Sequence, residues 1–266
     1  MKVKNTSLPK GTSALTTLKT LEILQCLAEN GQPMSLLDIQ RATNLGKTTC
    51  LRVLQALETK HVVQRDPQTK KYRIGLRLLE WGMAAVSTLG LQDVGRKYLA
   101  LLSQAAGETA HVGVLDAYDV VYVGQHQPSN PIRFIARIGS RAPSHCTAMG
   151  KVLIAHLEGS ERGLYFQQHP LTPMTPTTIT ERQAFVKELE TVRLNGFSVD
   201  MEEHRIGVRC IAAPVRGQTG QVVAAMSISG PTERFSSDRL PELADLVRHF
   251  AQQVSEELGY VGSLID

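Results

Sequence analysis

The chain has 266 residues, 42% hydrophobic and 20% charged, a globular composition too apolar for disorder and a length that suits two ordinary domains. No stretch approaches the roughly 20 uncharged apolar residues that span a bilayer, and the first ten residues contain no apolar core, so a soluble cytoplasmic protein with no membrane partner is expected. The net charge of +4 is unevenly spread: residues 1–75 hold twelve Lys or Arg against five acids, a net +7, while the remaining 191 carry a net −3; this pattern suits one small domain that meets a polyanion and a larger one that does not.

Residues 1–13 show no periodicity and read as a flexible N-terminus. Leu15, Leu18, Leu21, Ile23, Leu24 and Leu27 then recur at helical spacing up to Asn30-Gly-Gln-Pro33, which predicts an amphipathic helix near 15–29. Ser35 with Asp38 three residues on is a near capping box, opening a short helix that ends near Thr43. Asn44-Leu-Gly46 is a turn. A third helix is predicted over about Lys47–Thr59. At 100° per residue, Cys50, Leu51, Val53, Leu54 and Leu57 gather on one half, and Thr48, Thr49, Arg52, Gln55, Ala56 and Thr59 on the other. The second half carries hydroxyls, an amide and a guanidinium but no carboxylate, as a helix in a DNA major groove requires. His61–Arg65 and Lys71–Gly75 read as strands around Asp66-Pro-Gln-Thr-Lys70, a basic hairpin with the dimensions of a wing. Residues 14–75 are thus read as a winged helix-turn-helix domain.

Leu76, Leu78, Leu79, Met83, Ala84 and Val86 continue a helical pattern over 76–89, which reads as a linker helix with Trp81 as a packing anchor. A further helix runs to Gly107. From Thr109 the period becomes two: 110–115, 120–124, 131–137, 196–200, 208–214 and 222–229 read as strands, and 147–157, 181–194 and 238–258 as helices. The Thr/Pro-rich stretch 171–178 reads as a loop. Residues 90–260 are therefore an α+β sheet domain. Pro143-Ser-His-Cys-Thr147 leads into a helix start, where unpaired N–H groups favour an anion. Ser227 and Ser229 share a strand face with Ala225.

Enzymatic readings find little to stand on. The four cysteines form no CxxC pair, no HxxxH is present, and neither a P-loop nor a GxGxxG follows a strand. No catalytic residue, metal or cofactor is expected. The competing reading is a small-molecule-binding or enzymatic domain with a non-specific basic N-terminus, which predicts no sequence preference on DNA.

Several stretches carry a family resemblance: Leu36-Leu-Asp-Ile-Gln, Asn44-Leu-Gly-Lys-Thr-Thr-Cys-Leu-Arg-Val-Leu, His61-Val-Val-Gln-Arg-Asp, His145-Cys-Thr-Ala-Met-Gly-Lys151, Thr175-Pro-Thr-Thr-Ile-Thr180, Gly207-Val-Arg-Cys-Ile-Ala-Ala-Pro-Val215 and Ser227-Ile-Ser-Gly-Pro231. Together these motifs span about residues 14–259 and resemble the IclR family of bacterial transcriptional regulators. The resemblance implies an operator-binding homodimer or homotetramer, nucleoid-associated when bound to DNA, whose C-terminal GAF-like domain binds a small carboxylate such as a keto acid or an aromatic acid. Candidate DNA-binding residues are Arg41, Lys47, Thr48, Thr49, Arg52 and Gln55, with Arg65, Lys70 and Lys71 on the wing. By the same resemblance the effector pocket falls at Ala148, Met149, Asp200, Val208, Cys210, Ser227 and Ser229, with Phe134 and Ala142 on its apolar wall. Where some members of the family have a Gly-rich or Ala-rich stretch this chain has Ala148-Met149, and Met149 is expected either to narrow the pocket or to make it more apolar. Arg137, Arg141 and Arg209 are the candidate cations for the carboxylate.

Overall fold

A computed structural model describes residues 12–88, 90–130 and 133–262. The chain divides into two compact units, one ending at Ala85 and the other beginning at Val86. The flexible N-terminus expected over 1–13 lies outside the described residues except for its last two, which open the first helix.

The first unit contains α1 (Thr12–Asn30), α2 (Leu36–Thr43), α3 (Lys47–Thr59) and a hairpin of β1 (Val63–Arg65) and β2 (Tyr72–Ile74). Ser35 caps α2 through a complete capping box: its hydroxyl accepts from the Asp38 amide, and the Asp38 carboxylate accepts from the Ser35 amide at 3.1 Å. Asn44 takes the left-handed conformation, φ 54°, that ends the helix and turns the chain into α3. The apolar face predicted for α3 is the buried one: Cys50, Val53 and Leu54 pack with Ile23, Leu27, Ile39, Val63 and Tyr72. Tyr72 also exchanges backbone hydrogen bonds with Met34 at 2.9 and 2.7 Å, tying the hairpin to the segment before α2. Gly75 is needed because a Cβ there would stand 2.1 Å from the His61 carbonyl oxygen. The helix α4 (Arg77–Ser87) contains no buried residue, and Trp81, expected to anchor packing, is 55% exposed. The division between the units falls inside α4.

The second unit is a six-stranded antiparallel sheet in the order β5-β4-β3-β8-β7-β6, from β3 (Thr109–Asp116), β4 (Asp119–His126), β5 (Arg141–Pro143), β6 (Ser198–Met201), β7 (Val208–Arg216) and β8 (Val222–Pro231). Alternation along the strands sorts the side chains onto two faces. Ala110, Val112, Ile211, Ala213, Met226 and Ile228 pack against α5 (Gln92–Ala106) and α9 (Leu240–Glu257). Tyr122, Ala212 and Ala225 lie on the opposite face with α6 (Ala148–Ala155), α7 (Gly159–Gln168) and α8 (Arg182–Asn195). This is the expected α+β architecture.

Three expectations are corrected. The alternating stretch expected as a strand over 131–137 is irregular where it is described, because the edge of β4 that it would need is taken: Gly139 donates to the Tyr122 carbonyl at 2.7 Å, Tyr122 donates to Ser140 at 3.1 Å, and β5 follows. Its alternation instead reflects packing, with Phe134 half-buried and Ala136 buried between the exposed Arg133, Ile135 and Arg137. The strand expected from Gly196 begins at Ser198, since Gly196, φ 70°, terminates α8. The helix expected over 147–157 ends at Ala155 and is followed by α7, whose apolar pattern is too sparse to announce it.

Candidate functional site

In the first unit, the face of α3 opposite the core presents Lys47, Thr48, Arg52 and Gln55 to solvent, with Thr49 half-buried. The helix begins at Gly46, whose missing side chain leaves the first-turn amides without a side-chain cap. Arg41 at the end of α2 and Arg65, Lys70 and Lys71 on the hairpin are exposed as well. None of these cations forms an ion pair among the described residues. The acids nearby are held by the hydroxyls and amides of their own turns. Hydrogen bonds from Ser35 keep the Asp38 carboxyl below its usual range, and those from Thr69 and Gln68 do the same for Asp66, which closes the hairpin turn. The result is a cationic, acid-poor surface on a helix and a ribbon.

In the second unit, a narrow cavity of about 10 Å³ opens at the start of α6. Tyr122, Phe134, Thr147, Ala148, Met149, Asp200, His204, Arg205, Val208, Cys210, Ser227 and Ser229 line it. Its floor is a registered row: Asp200 pairs with Cys210 and Cys210 with Ser229, so their side chains share one face across β6, β7 and β8. Its end wall is the first turn of α6. Thr147 caps the helix, accepting from the Gly150 amide at 3.3 Å and donating to the Pro143 carbonyl at 2.8 Å; the amides of Ala148 and Met149 have no partner within the helix by geometry. Gly150 is obligatory, since a Cβ would meet the Ser144 carbonyl oxygen at 2.1 Å.

The turn after β6 closes the mouth, and buried polar contacts fix it. Thr175 and Thr178 hydroxyls donate to the carbonyls of Glu202 and Glu203 at 2.7 and 2.6 Å, which gives the Thr/Pro-rich loop its role. Lys151, almost fully buried, donates to Glu203 at 2.6 Å, Glu188 at 2.8 Å and the Val199 carbonyl at 2.5 Å. Burial opposes its charge, but Glu203 and Glu188 outweigh that and hold the ammonium above its usual range. The Asp200 carboxylate accepts from the Glu203 amide at 2.7 Å. Burial nevertheless pushes Asp200 up to about 7, and burial lowers His204 to about 4.

Eight of the nine predicted pocket residues line this cavity. Ala142 does not: it pairs with Val120 on the far edge of the sheet and is buried in the core beneath α6. The candidate cations are also placed elsewhere. Arg141 pairs with Asp116 at the surface, Arg209 donates to the Phe235 carbonyl at 2.8 Å, and Arg137 is exposed on the irregular segment. The cation at the mouth is Arg205, its guanidinium 5.5 Å from the centre of the Phe134 ring. Tyr122, Thr147, His204 and Arg205 were absent from the predicted set; of these, only Thr147 carried a sequence signal, as the cap before α6. Among the described residues no group of three His, Cys, Asp or Glu side chains is placed to hold a metal ion, and no helix is long and apolar enough to cross a membrane.

Comparison with known proteins matches residues 83–256 to the bacterial transcriptional regulator IclR C-terminal domain and residues 16–67 to the IclR helix-turn-helix domain. The chain is 34% identical to the HTH-type transcriptional repressor AllR of Escherichia coli K12 over 250 residues, covering 94% of this chain and 92% of that protein. The crystal structure of the Thermotoga maritima IclR superposes with a TM-score of 0.78 at 30% identity, covering 92% of this chain and 99% of that one. An IclR homolog from Microbacterium hydrocarbonoxydans, crystallised in complex with 4-hydroxybenzoate, shares the fold at a TM-score of 0.81 and 22% identity, over 91% and 98% of the two chains.

Proposed function

This chain belongs to the IclR family of DNA-binding transcriptional regulators, and from that premise we propose that it is a repressor whose hold on its operator is set by a small carboxylate bound at the start of α6. The observation that carries the reading is the pocket itself, where helix amides, hydroxyls and a guanidinium converge around a mostly apolar interior. The free amides of Ala148 and Met149 and the positive end of α6 suit a carboxylate, and Arg205 adds charge at the mouth. Ser227 and Ser229 offer hydroxyl donors. The neutral form of Asp200, which burial favours up to about pH 7, donates rather than repels.

On DNA, α3 enters a major groove with Lys47, Thr48, Thr49, Arg52 and Gln55 on bases or phosphates. Arg41, Arg65, Lys70 and Lys71 contact the backbone or the minor groove. Two copies are needed to read a palindrome, and α4 with the residue before it supplies an apolar surface for pairing them: Leu76, and Leu79, Trp81 and Met83 on the helix, are all more than half exposed. A cavity of about 10 Å³ must widen to admit even a small acid. The acid therefore binds the widened state preferentially, and that differential affinity is what allostery requires. AllR is named a repressor and the Microbacterium protein holds an aromatic acid; both agree with this assignment.

Fluorescence anisotropy against the DNA immediately upstream of the gene and against a scrambled copy, at one salt concentration, tests the DNA half of the proposal. A preference of roughly 10³-fold supports an operator-binding regulator. Equal, salt-sensitive binding to both fragments contradicts it for that DNA.

A further inference from the structure

The sheet face that floors the pocket continues past the two serines into polar side chains that the carboxylate site does not use. Thr109 registers with Ser229 and His111 with Ser227 across β3 and β8, and on the other edge of β3 His111 registers with Gln125. Registered side chains share a face, so Thr109, His111 and Gln125 extend the polar row beyond the serines. Thr109 and His111 are fully buried. The Thr109 hydroxyl, both His111 ring nitrogens and the Gln125 amide oxygen are buried without a hydrogen-bond partner, an arrangement that native interiors avoid unless something else satisfies it. The His111 ring stands edge-on to Tyr122 at 5.4 Å and to Phe134 at 6.1 Å between centroids. Those are the two aromatic rings that line the cavity. The imidazole does not itself line the cavity but packs behind its aromatic wall, so it meets a ligand in the widened state proposed above.

We infer that His111 is a specificity-determining residue that hydrogen-bonds an uncharged hydroxyl or carbonyl group carried by the effector in addition to its carboxylate. The inference rests on the pocket reading above and deepens it: the ligand is a hydroxy- or oxo-monocarboxylic acid. Burial lowers His111 to about 4, so the ring is neutral and offers one donor and one acceptor nitrogen. A hydroxyl can use either nitrogen and a carbonyl can use the donor. Thr109 and Gln125 supply further hydrogen-bonding atoms at the same depth.

Isothermal titration calorimetry on the full chain with two matched pairs, pyruvate against propionate and 4-hydroxybenzoate against benzoate, tests this. In the unaltered protein the oxo or hydroxy acid of at least one pair should bind about 10-fold or more tighter than its partner, the cost of leaving a buried polar group unpaired. His111→Leu should bring the two members within about 2-fold while the plain acid keeps its affinity, and His111→Asn, which restores a neutral donor and acceptor, should recover part of the discrimination. With ¹⁵N-labelled histidine, the His111 ring signals, identified by their loss in His111→Asn, should move with the favoured acid and not with its partner; this readout needs no variant to bind ligand. Undiminished discrimination in both variants, or unmoved ring signals on saturation, overturns the role of His111 and leaves the pocket reading standing. If no acid of either pair binds the unaltered protein, or if Ser229→Ala leaves every affinity unchanged, the pocket reading fails and this inference falls with it.

Discussion

The two units treat charge in opposite ways. In the first, Arg41, Lys47, Arg52, Arg65, Lys70 and Lys71 stand in solvent outside any ion pair among the described residues. In the second, Lys151 is sealed between Glu188 and Glu203, and Arg234 donates to the fully buried Glu108 at 2.5 and 2.7 Å. A cation left in water contributes little to folding and remains available to a polyanion. A buried pair is committed to architecture, and for Lys151 and Glu203 that architecture is the turn that holds His204 and Arg205 over the pocket. The first unit therefore leaves its cations open to a polyanion, and the second seals its cations against buried acids.

Removing a charge from each unit should have different consequences. The largest effect is expected from Lys151→Met. It strands the buried Glu203 and removes the partner of the half-buried Glu188, and should destabilise the second unit by about 3–5 kcal/mol, read as a lowered denaturant midpoint. Adding Glu203→Gln should recover part of the loss. Arg52→Ala should leave the denaturation curve in place and weaken operator binding by about 1–3 kcal/mol, with relaxed preference at one base pair. Uniform weakening on all sequences would make Arg52 a phosphate contact. Single Lys70→Ala and Lys71→Ala changes should each lower the slope of log affinity against log salt by about 1.

Titration separates the units as well. Asp200 is raised to about 7 by burial, so its neutral, donating form prevails below that pH. Glu203, Lys151, His204, Arg205 and Cys210 surround it. A carboxylate ligand accepts from the neutral form and is repelled by the ionised one. Effector affinity should therefore hold below pH 7 and fall above it, by up to about 10-fold per pH unit, as calorimetry from pH 6 to 8.5 would show. Asp200→Asn should flatten the profile. The smallest effect is expected from Ser35→Ala, which opens the capping box of α2 at a cost of about 1 kcal/mol and should lower the thermal midpoint of the first unit alone.

The same contrast governs how much could be read from the sequence. The surface proposed to face DNA is built by neighbours: the wheel of α3, the box at Ser35 and Asp38, and the hairpin around Asp66 each fit within a few turns of chain, so periodicity and spacing exposed them. The pocket is built by register. The shared face of Ser227 and Ser229 was legible because it lies within one strand, and the remaining floor and wall residues came through family resemblance. Tyr122 and Gln125 were not, because an odd separation should put them on opposite faces; the bulge between Val112 and Gly113 brings both onto the face of His111. His204 and Arg205 sit on a turn with no periodicity, placed by hydroxyls some 25 residues upstream in the Thr175–Thr178 loop. The stretch before Gly139 shows the converse: it alternates like a strand but finds no free edge.

The most direct test of the account couples the two units in one titration: the operator affinity of the full chain by fluorescence anisotropy, with and without a saturating carboxylate, in the unaltered protein and in Ser227→Ala/Ser229→Ala. The account predicts that the acid shifts the unaltered protein's operator affinity by about 5–150-fold, and that the double variant binds the same operator with its acid response lost. An equal response in the double variant, or no response to any small carboxylate in the unaltered protein, would contradict it.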